Sequence, residues 1–145
     1  MTLRSATDGI PRSYENPVDF EDEKGSWTEF DGAQGAFHDS NRARVSLVSV
    51  ATIGRWDRRR FRANVLLDGE GEDAFVGSTM SLGNAILDVK MHISRCVMTT
   101  RPQPGDIERD LDVLRTINRE RGGCLAIGAL VVQPGSVRIG DAFSD

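Results

Sequence analysis

The chain holds two cysteines, two histidines and two lysines among its 145 residues. Cys96 and Cys124 are too few for a disulfide framework or a structural zinc site, and a reducing cytoplasm is the expected location. Long apolar runs are missing as well. The longest, Leu125 to Val132, is too short to span a bilayer. The first residues, MTLRSATDGIPR, lack the apolar core of a secretory signal. There is no basic surplus: 18 basic against 22 acidic side chains give a net charge of −4, which argues against a dedicated nucleic-acid binder. Also absent are H-x-x-x-H, a Walker loop, G-x-G-x-x-G and G-x-S-x-G.

What is present is a globular composition, 39% hydrophobic and 28% charged, long enough for one domain. Residues 1–37 differ from the rest. They carry Pro11, Pro17, an acidic run at Asp19–Glu23 and several glycines, with no sustained period. They read as an irregular N-terminal arm with one short strand around Trp27–Phe30, pinned by Trp27, Phe30 and Phe37. Residues 38–145 read as the folded domain.

In that domain, short strands alternate with turns. Arg44–Ala51 is β-branched and mostly apolar, as a well-buried strand should be. Arg60–Leu67 alternates, with Phe61, Ala63, Val65 and Leu67 on one face and Arg60, Arg62 and Asn64 on the other. Leu87, Val89, Met91 and Ile93 give a second alternation. Gly123–Val132 and Ser136–Phe143 flank Gln133-Pro134-Gly135, a sequence suited to a tight reversal. Ile107, Leu111, Leu114 and Ile117 share a helical stripe; Asp106 or Asp110 can cap its start and Gly122-Gly123 its end. The expected fold is mainly β, a barrel with one packed amphipathic helix at about residues 107–120.

Three constellations could carry chemistry. Cys96 lies where an alternating strand gives way to a loop, a place where a rigid scaffold presents an accessible side chain. A thiolate there is a soft metal ligand and a nucleophile, and Arg95 beside it favours the ionised form; the bland alternative is a small buried hydrophobe. Arg55, Arg58, Arg59, Arg60 and Arg62 cluster. On an extended strand Arg62 and Asn64 would project together toward an anionic, heteroatom-rich ligand, or the cluster is simply a solvated basic edge. Ser46, Ser49 and Thr52 interrupt an apolar run, and their hydroxyls need partners, which backbone carbonyls or a ligand could supply.

Taken in order, these stretches resemble the MOSC domain family, the C-terminal domain of molybdenum cofactor sulfurases. Arg60-Phe61-Arg62-Ala63-Asn64 is similar to R-F-R-P-N, with alanine in place of the proline. Gly71-Glu72-Asp73-Ala74-Phe75-Val76-Gly77 is near E-D-x-W-x-G, and Ser94-Arg95-Cys96-Val97-Met98-Thr99-Thr100 is near S-R-C-x-x-T-T. Asp110–Thr116 and Pro134–Asp141 follow in the expected order, so the resemblance covers roughly residues 38 to 143.

The resemblance implies a MOSC-type β-barrel that binds the molybdenum cofactor (molybdopterin). Cys96 takes the place of the molybdenum ligand and catalytic residue. Arg62 and Asn64 take that of the pair holding the cofactor, Ser94 and Arg95 that of flanking contacts, and Ser49 and Thr52 that of cofactor-contacting hydroxyls. The activity implied is reduction of N-hydroxylated compounds with electrons from a separate donor protein. Alternatives are a sulfur carrier holding a persulfide on Cys96, loaded by a sulfur donor protein, and a non-catalytic interaction module. Family members carry a further β-rich region where this chain has its arm. The corresponding expectation is that a homodimer or a partner chain completes the cofactor clamp.

Overall fold

The computed structural model describes residues 13–17, 24–31 and 41–145. The chain divides into two compact units, residues 1–44 and residues 45–145. In the first, β1 (Ser13–Pro17) pairs antiparallel with β2 (Trp27–Asp31). The strand expected near Trp27 is therefore present, together with a partner strand that the sequence reading left as irregular arm. Trp27 is half exposed, and the side chains of Phe30 and Phe37 lie outside the described residues.

The second unit is a nearly closed, barrel-shaped sheet of six strands carrying two helices. Its strands are β3 (Val45–Ser49), β4 (Val65–Leu67), β5 (Thr79–Leu82), β6 (Ala85–Ser94), β7 (Cys124–Gln133) and β8 (Phe143–Ser144). Their order across the sheet is β4-β3-β7-β6-β5-β8, with β3 and β4 parallel and the other pairs antiparallel. The apolar run in β3 is explained by burial on both faces. Leu47 packs with Met80, Leu87, Val89 and Ile127 in one core; Val48 packs with Phe61, Val113, Ile117 and Leu125 in a second core beneath a helix. The alternation in β6 holds too, with Leu87 and Val89 buried and Lys90 exposed.

That helix, α2 (Asp112–Arg121), starts later than its stripe suggested. Ile107 is buried but precedes it, bridged to Gln103 in a turn where Gly105 and Asp106 take positive φ. Leu111, at the boundary, is exposed, and Val113 and Ile117 provide the buried contact instead. Asp110 Oδ1 accepts from the Asp112 amide at 3.0 Å, satisfying one free donor of the first turn. Replacing Asp110 by alanine should lower stability by about 1 kcal/mol in urea melts. The chain leaves α2 at Gly122, whose φ of 57° only glycine adopts freely.

Two expected strands need correction. Residues Arg58–Phe61 form a 3-10 turn, Arg62 is left-handed at φ 47°, and only Val65–Leu67 is strand. Asp57 starts this turn by accepting from the Arg59 amide at 2.9 Å. Phe61, 2% exposed, then anchors it in the second core. Arg62 and Asn64 therefore do not share one face of an extended strand. Ser136–Phe143 does not form a hairpin with β7 either. β7 already lies between β3 and β6, so it offers no free edge. The chain crosses over instead, Ser136 accepting from the Asn84 amide at 3.1 Å, and adds two residues, Phe143 and Ser144, to β5.

One irregularity shapes the end of the sheet. His92 pairs with Ile127 and Ser94 with Cys124, so β7 accommodates an extra residue there. Ala126, fully buried with φ 93°, lies in this bulge.

Candidate functional site

The last residues of β6 and the first of β7 bring Ser94, Arg95, Cys96 and Cys124 to one end of the sheet. Beyond Ser94 the backbone stays paired for one more step, Arg95 donating its amide to Gly123 at 2.9 Å. Cys96 then heads a 3-10 turn, Val97–Thr100; its carbonyl accepts from the Thr99 amide at 3.1 Å and the Thr99 hydroxyl at 2.9 Å. The main chain at Cys96 is thus held firmly while its thiol is exposed. Cys124 is half-buried.

Arg95 is engaged with the protein rather than with solvent. Its Nε donates to the Leu125 carbonyl at 2.7 Å and its Nη1 to the Phe61 carbonyl at 3.0 Å, with the guanidinium 5.7 Å from the centroid of the Phe61 ring. Burial pushes its pKa below the ordinary arginine value, opposed by the neighbouring Cys96 and Cys124 thiols. Its Nη2 is buried and has no hydrogen-bond partner among the described residues. Arg95 therefore ties the Cys96 turn to the segment that leads into Arg62 and Asn64.

That segment is fixed from its other side as well. Asn64 Oδ1 accepts from the Ser46 amide at 2.8 Å and from the Ser46 hydroxyl at 2.9 Å, and the Asn64 amide donates to Ser46 Oγ at 3.0 Å. Because a backbone N–H can only donate, the carboxamide oxygen must face β3 and the NH2 group must face outward. Arg62 is exposed. The rest of the arginine cluster is partly spent on the fold. Arg59 pairs with Asp57 at 2.6 Å, whose carboxyl its guanidinium holds down to about 2. Arg60 donates to the Thr99 carbonyl at 3.3 Å and the Glu108 carbonyl at 2.6 Å.

Ser49 and Thr52 belong to a different arrangement. Ser49 is buried and caps the short helix α1 (Val50–Ile53), accepting from the Thr52 amide at 3.1 Å. The Thr52 hydroxyl donates to Glu72 Oε2 at 3.0 Å. Glu72 is 1% exposed, and its Oε1 has no hydrogen-bond partner among the described residues. Its burial works to raise the pKa, but hydrogen bonding from the Ser49 and Thr52 hydroxyls and from backbone amides outweighs this and leaves it below the ordinary carboxylate value of 4.5. A depressed folded-state pKa stabilises the fold at pH values above the unfolded value, and the benefit is lost as the solution is acidified through the folded one. Stability should accordingly fall less between pH 7 and pH 3 in Glu72→Gln than in wild type, as acid titrations followed by circular dichroism would show.

A cleft of about 710 Å³ opens beside this group, lined by Thr52, Trp56, Gly71 and the C-terminal half of α2. Cys96, Arg62 and Asn64 are not among its walls. The sequence-derived candidates thus fall into three places: Ser94, Arg95 and Cys96 at the end of β6, Arg62 and Asn64 on the stretch after Phe61 with Asn64 fixed to Ser46 of β3, and Ser49 and Thr52 around Glu72. Sequence reasoning passed over Glu72 as a site residue. Its only signal in the sequence was its place in Gly71–Gly77, the stretch near E-D-x-W-x-G.

A family model described as the MOSC domain matches residues 34–144. The chain belongs to the MOSC domain family. No curated protein matches it. The matched span includes every strand of the barrel, both helices and all three groups of candidate residues, and the MOSC domain is associated with binding of the molybdenum cofactor. Among the described residues of this MOSC domain, no three His, Cys, Asp or Glu side chains converge as a cage for a bare metal ion. The candidate donors are of another kind: an exposed soft sulfur at the end of β6, and an outward carboxamide NH2 and an exposed guanidinium on the stretch that follows Phe61. That set fits a group carrying its metal on an anionic organic frame, and Arg95 Nη2 adds a buried donor without a partner. Ser49, buried and capping α1, lies outside this set.

Proposed function

We propose that the protein binds the molybdenum cofactor at the end of β6, with Cys96 as the protein ligand to molybdenum. The observation that carries this reading is the exposed Cys96 thiol on a backbone held from both sides, by Gly123 and by Thr99. The chain's own residues divide the work. The Cys96 thiolate supplies the soft donor. The Asn64 NH2 and the Arg62 guanidinium supply donors for the anionic, heteroatom-rich part. Ser94 offers a hydroxyl beside the thiol. Arg95 holds the turn that bears Cys96 against the turn that leads to Arg62.

When bound, the cofactor supplies the two-electron redox chemistry needed to reduce an N-hydroxylated substrate, with a separate protein as electron donor. The same exposed thiol would also serve a sulfur carrier, and one preparation separates the two. Protein purified from a host that makes the cofactor should contain molybdenum and pterin near one per chain. A persulfide on Cys96 without molybdenum would instead favour sulfur transfer.

A further inference from the structure

The stretch from Val131 to Asp141 carries apolar surface that neither the barrel core nor the Cys96 reading uses. Val131, Val132 and Val137 are each roughly half exposed, and Ile139 is fully exposed. Arg138 is the one charged residue between Leu130 and Gly140. So dense a run is a patch, not the scattered single apolar side chains of any protein surface. It has a fixed place in the fold. Ser136 accepts from the Asn84 amide at 3.1 Å, and Gly135 lies so close to the Asn84 backbone that a Cβ would collide with it. These contacts wrap the stretch round the turn that joins β5 to β6. Cys96 lies past the other end of the ten-residue β6, about 30 Å away.

Ile139 stands at the tip of a tight turn. The Asp141 amide donates to the Arg138 carbonyl at 3.1 Å, and Asp141 Oδ2 accepts from the Arg138 amide at 2.7 Å. Ile139 and Gly140 thus form the apex, with Arg138 and Asp141 at the corners. Gly140, at φ 94°, supplies the positive angle that the third position of such a turn requires. No atom of the described residues lies within 4 Å of where a Cβ on Gly140 would stand, so the apex is open beside Ile139. The order Arg-Ile-Gly-Asp is self-complementary. A half-turn about an axis between Ile139 and Gly140 lays Arg138 against Asp141 and Ile139 against the open face of Gly140. The Arg138 guanidinium has no ion pair among the described residues, and Asp141 keeps a second carboxylate oxygen for it. We propose that two copies of the chain associate through this turn about a two-fold axis, each Arg138 meeting the other copy's Asp141 and the two Ile139 side chains packing between them. Such a dimer leaves both Cys96 ends open.

Sedimentation velocity of the full chain over a concentration series should show a monomer–dimer equilibrium with a dissociation constant of about 50 μM, as a contact this small implies. Ile139→Asp ends the apolar contact and sets a second carboxylate near Asp141, and it should weaken the dimer by about tenfold or more. Arg138→Glu should weaken it by about fivefold. Leu111→Asp changes an exposed apolar residue at the start of α2 and should stay within about twofold of wild type. Thermal melts of dilute samples show that each variant is folded. A wild type that is monomeric throughout the series, an Ile139→Asp that dimerises like wild type, or an equal loss in Leu111→Asp would overturn the proposal. So would a monomeric wild type that binds phosphatidylcholine vesicles through Ile139, which would give the patch to a lipid surface. None of these outcomes touches the reading of Cys96.

Discussion

Arg95→Met is expected to destabilise the protein by about 2–4 kcal/mol in urea melts, because two carbonyls in buried surroundings lose their donor at once. Those carbonyls belong to Leu125, fully buried, and Phe61, 2% exposed, and neither has room to turn toward water. Methionine retains most of the side chain's apolar stem, so lost packing contributes little to the expected change. Lysine, with one point-like head group, cannot reach both oxygens, and Arg95→Lys should recover less than half of the loss. The same change releases the Cys96 turn from the Phe61 segment, so the cofactor content of the purified variant should fall with stability. A variant within about 0.5 kcal/mol of wild type would show that the two bonds add nothing net.

The complementary expectation concerns Asn64→Asp, where binding should suffer and the fold should not. Aspartate keeps an oxygen where the Ser46 amide and hydroxyl donate, at 2.8 and 2.9 Å, so both contacts to β3 survive. Its second oxygen replaces the outward NH2 group and places a negative charge where an anionic cofactor is to be held. Stability should change by less than about 0.5 kcal/mol. Cofactor affinity should drop by about a hundredfold, the scale of a like-charge contact of a few kcal/mol. Thermal melts and pterin content on the same preparation read both quantities. Equal cofactor content in wild type and Asn64→Asp would remove Asn64 from the site.

Much of the barrel was legible because its strongest signals are local. Leu47 and Val48 are adjacent apolar residues buried on opposite faces, and an unbroken β-branched run announces such a strand. The alternation of β6 and the glycine that ends α2 are likewise properties of a few neighbouring residues. The errors arose where distant contacts decide. Arg60–Leu67 alternates as a strand should, yet the Asp57 cap, the reach of Arg60 to Thr99 and Glu108, and the burial of Phe61 fold its first half into a turn. Ser136–Phe143 looked like a hairpin arm, but pairing needs a free edge, and the sheet order denies β7 one. No local pattern encodes that order.

The site was legible to a similar depth. The exposed thiol at the end of β6 follows from the place where alternation stops. That Arg95 would bind carbonyls, and that Thr52 would be committed to Glu72, depends on contacts 30 and 20 residues apart in the chain. Hydroxyls in an apolar strand signalled a need for partners without naming them. Glu72 itself gave only the weak signal of an acidic residue inside a motif shared with the family.

The most direct test of the central claim is the molybdenum-to-protein ratio of three proteins purified in parallel from a host that makes the cofactor: wild type, Cys96→Ser and Cys124→Ser. Serine preserves size and exposure but replaces the soft sulfur, and the half-buried Cys124 serves as the matched control. Wild type and Cys124→Ser should carry molybdenum near one atom per chain, and Cys96→Ser should carry almost none while melting at the same temperature. Molybdenum in Cys96→Ser at the wild-type ratio, or its absence from all three, would contradict the assignment of Cys96 as the metal ligand.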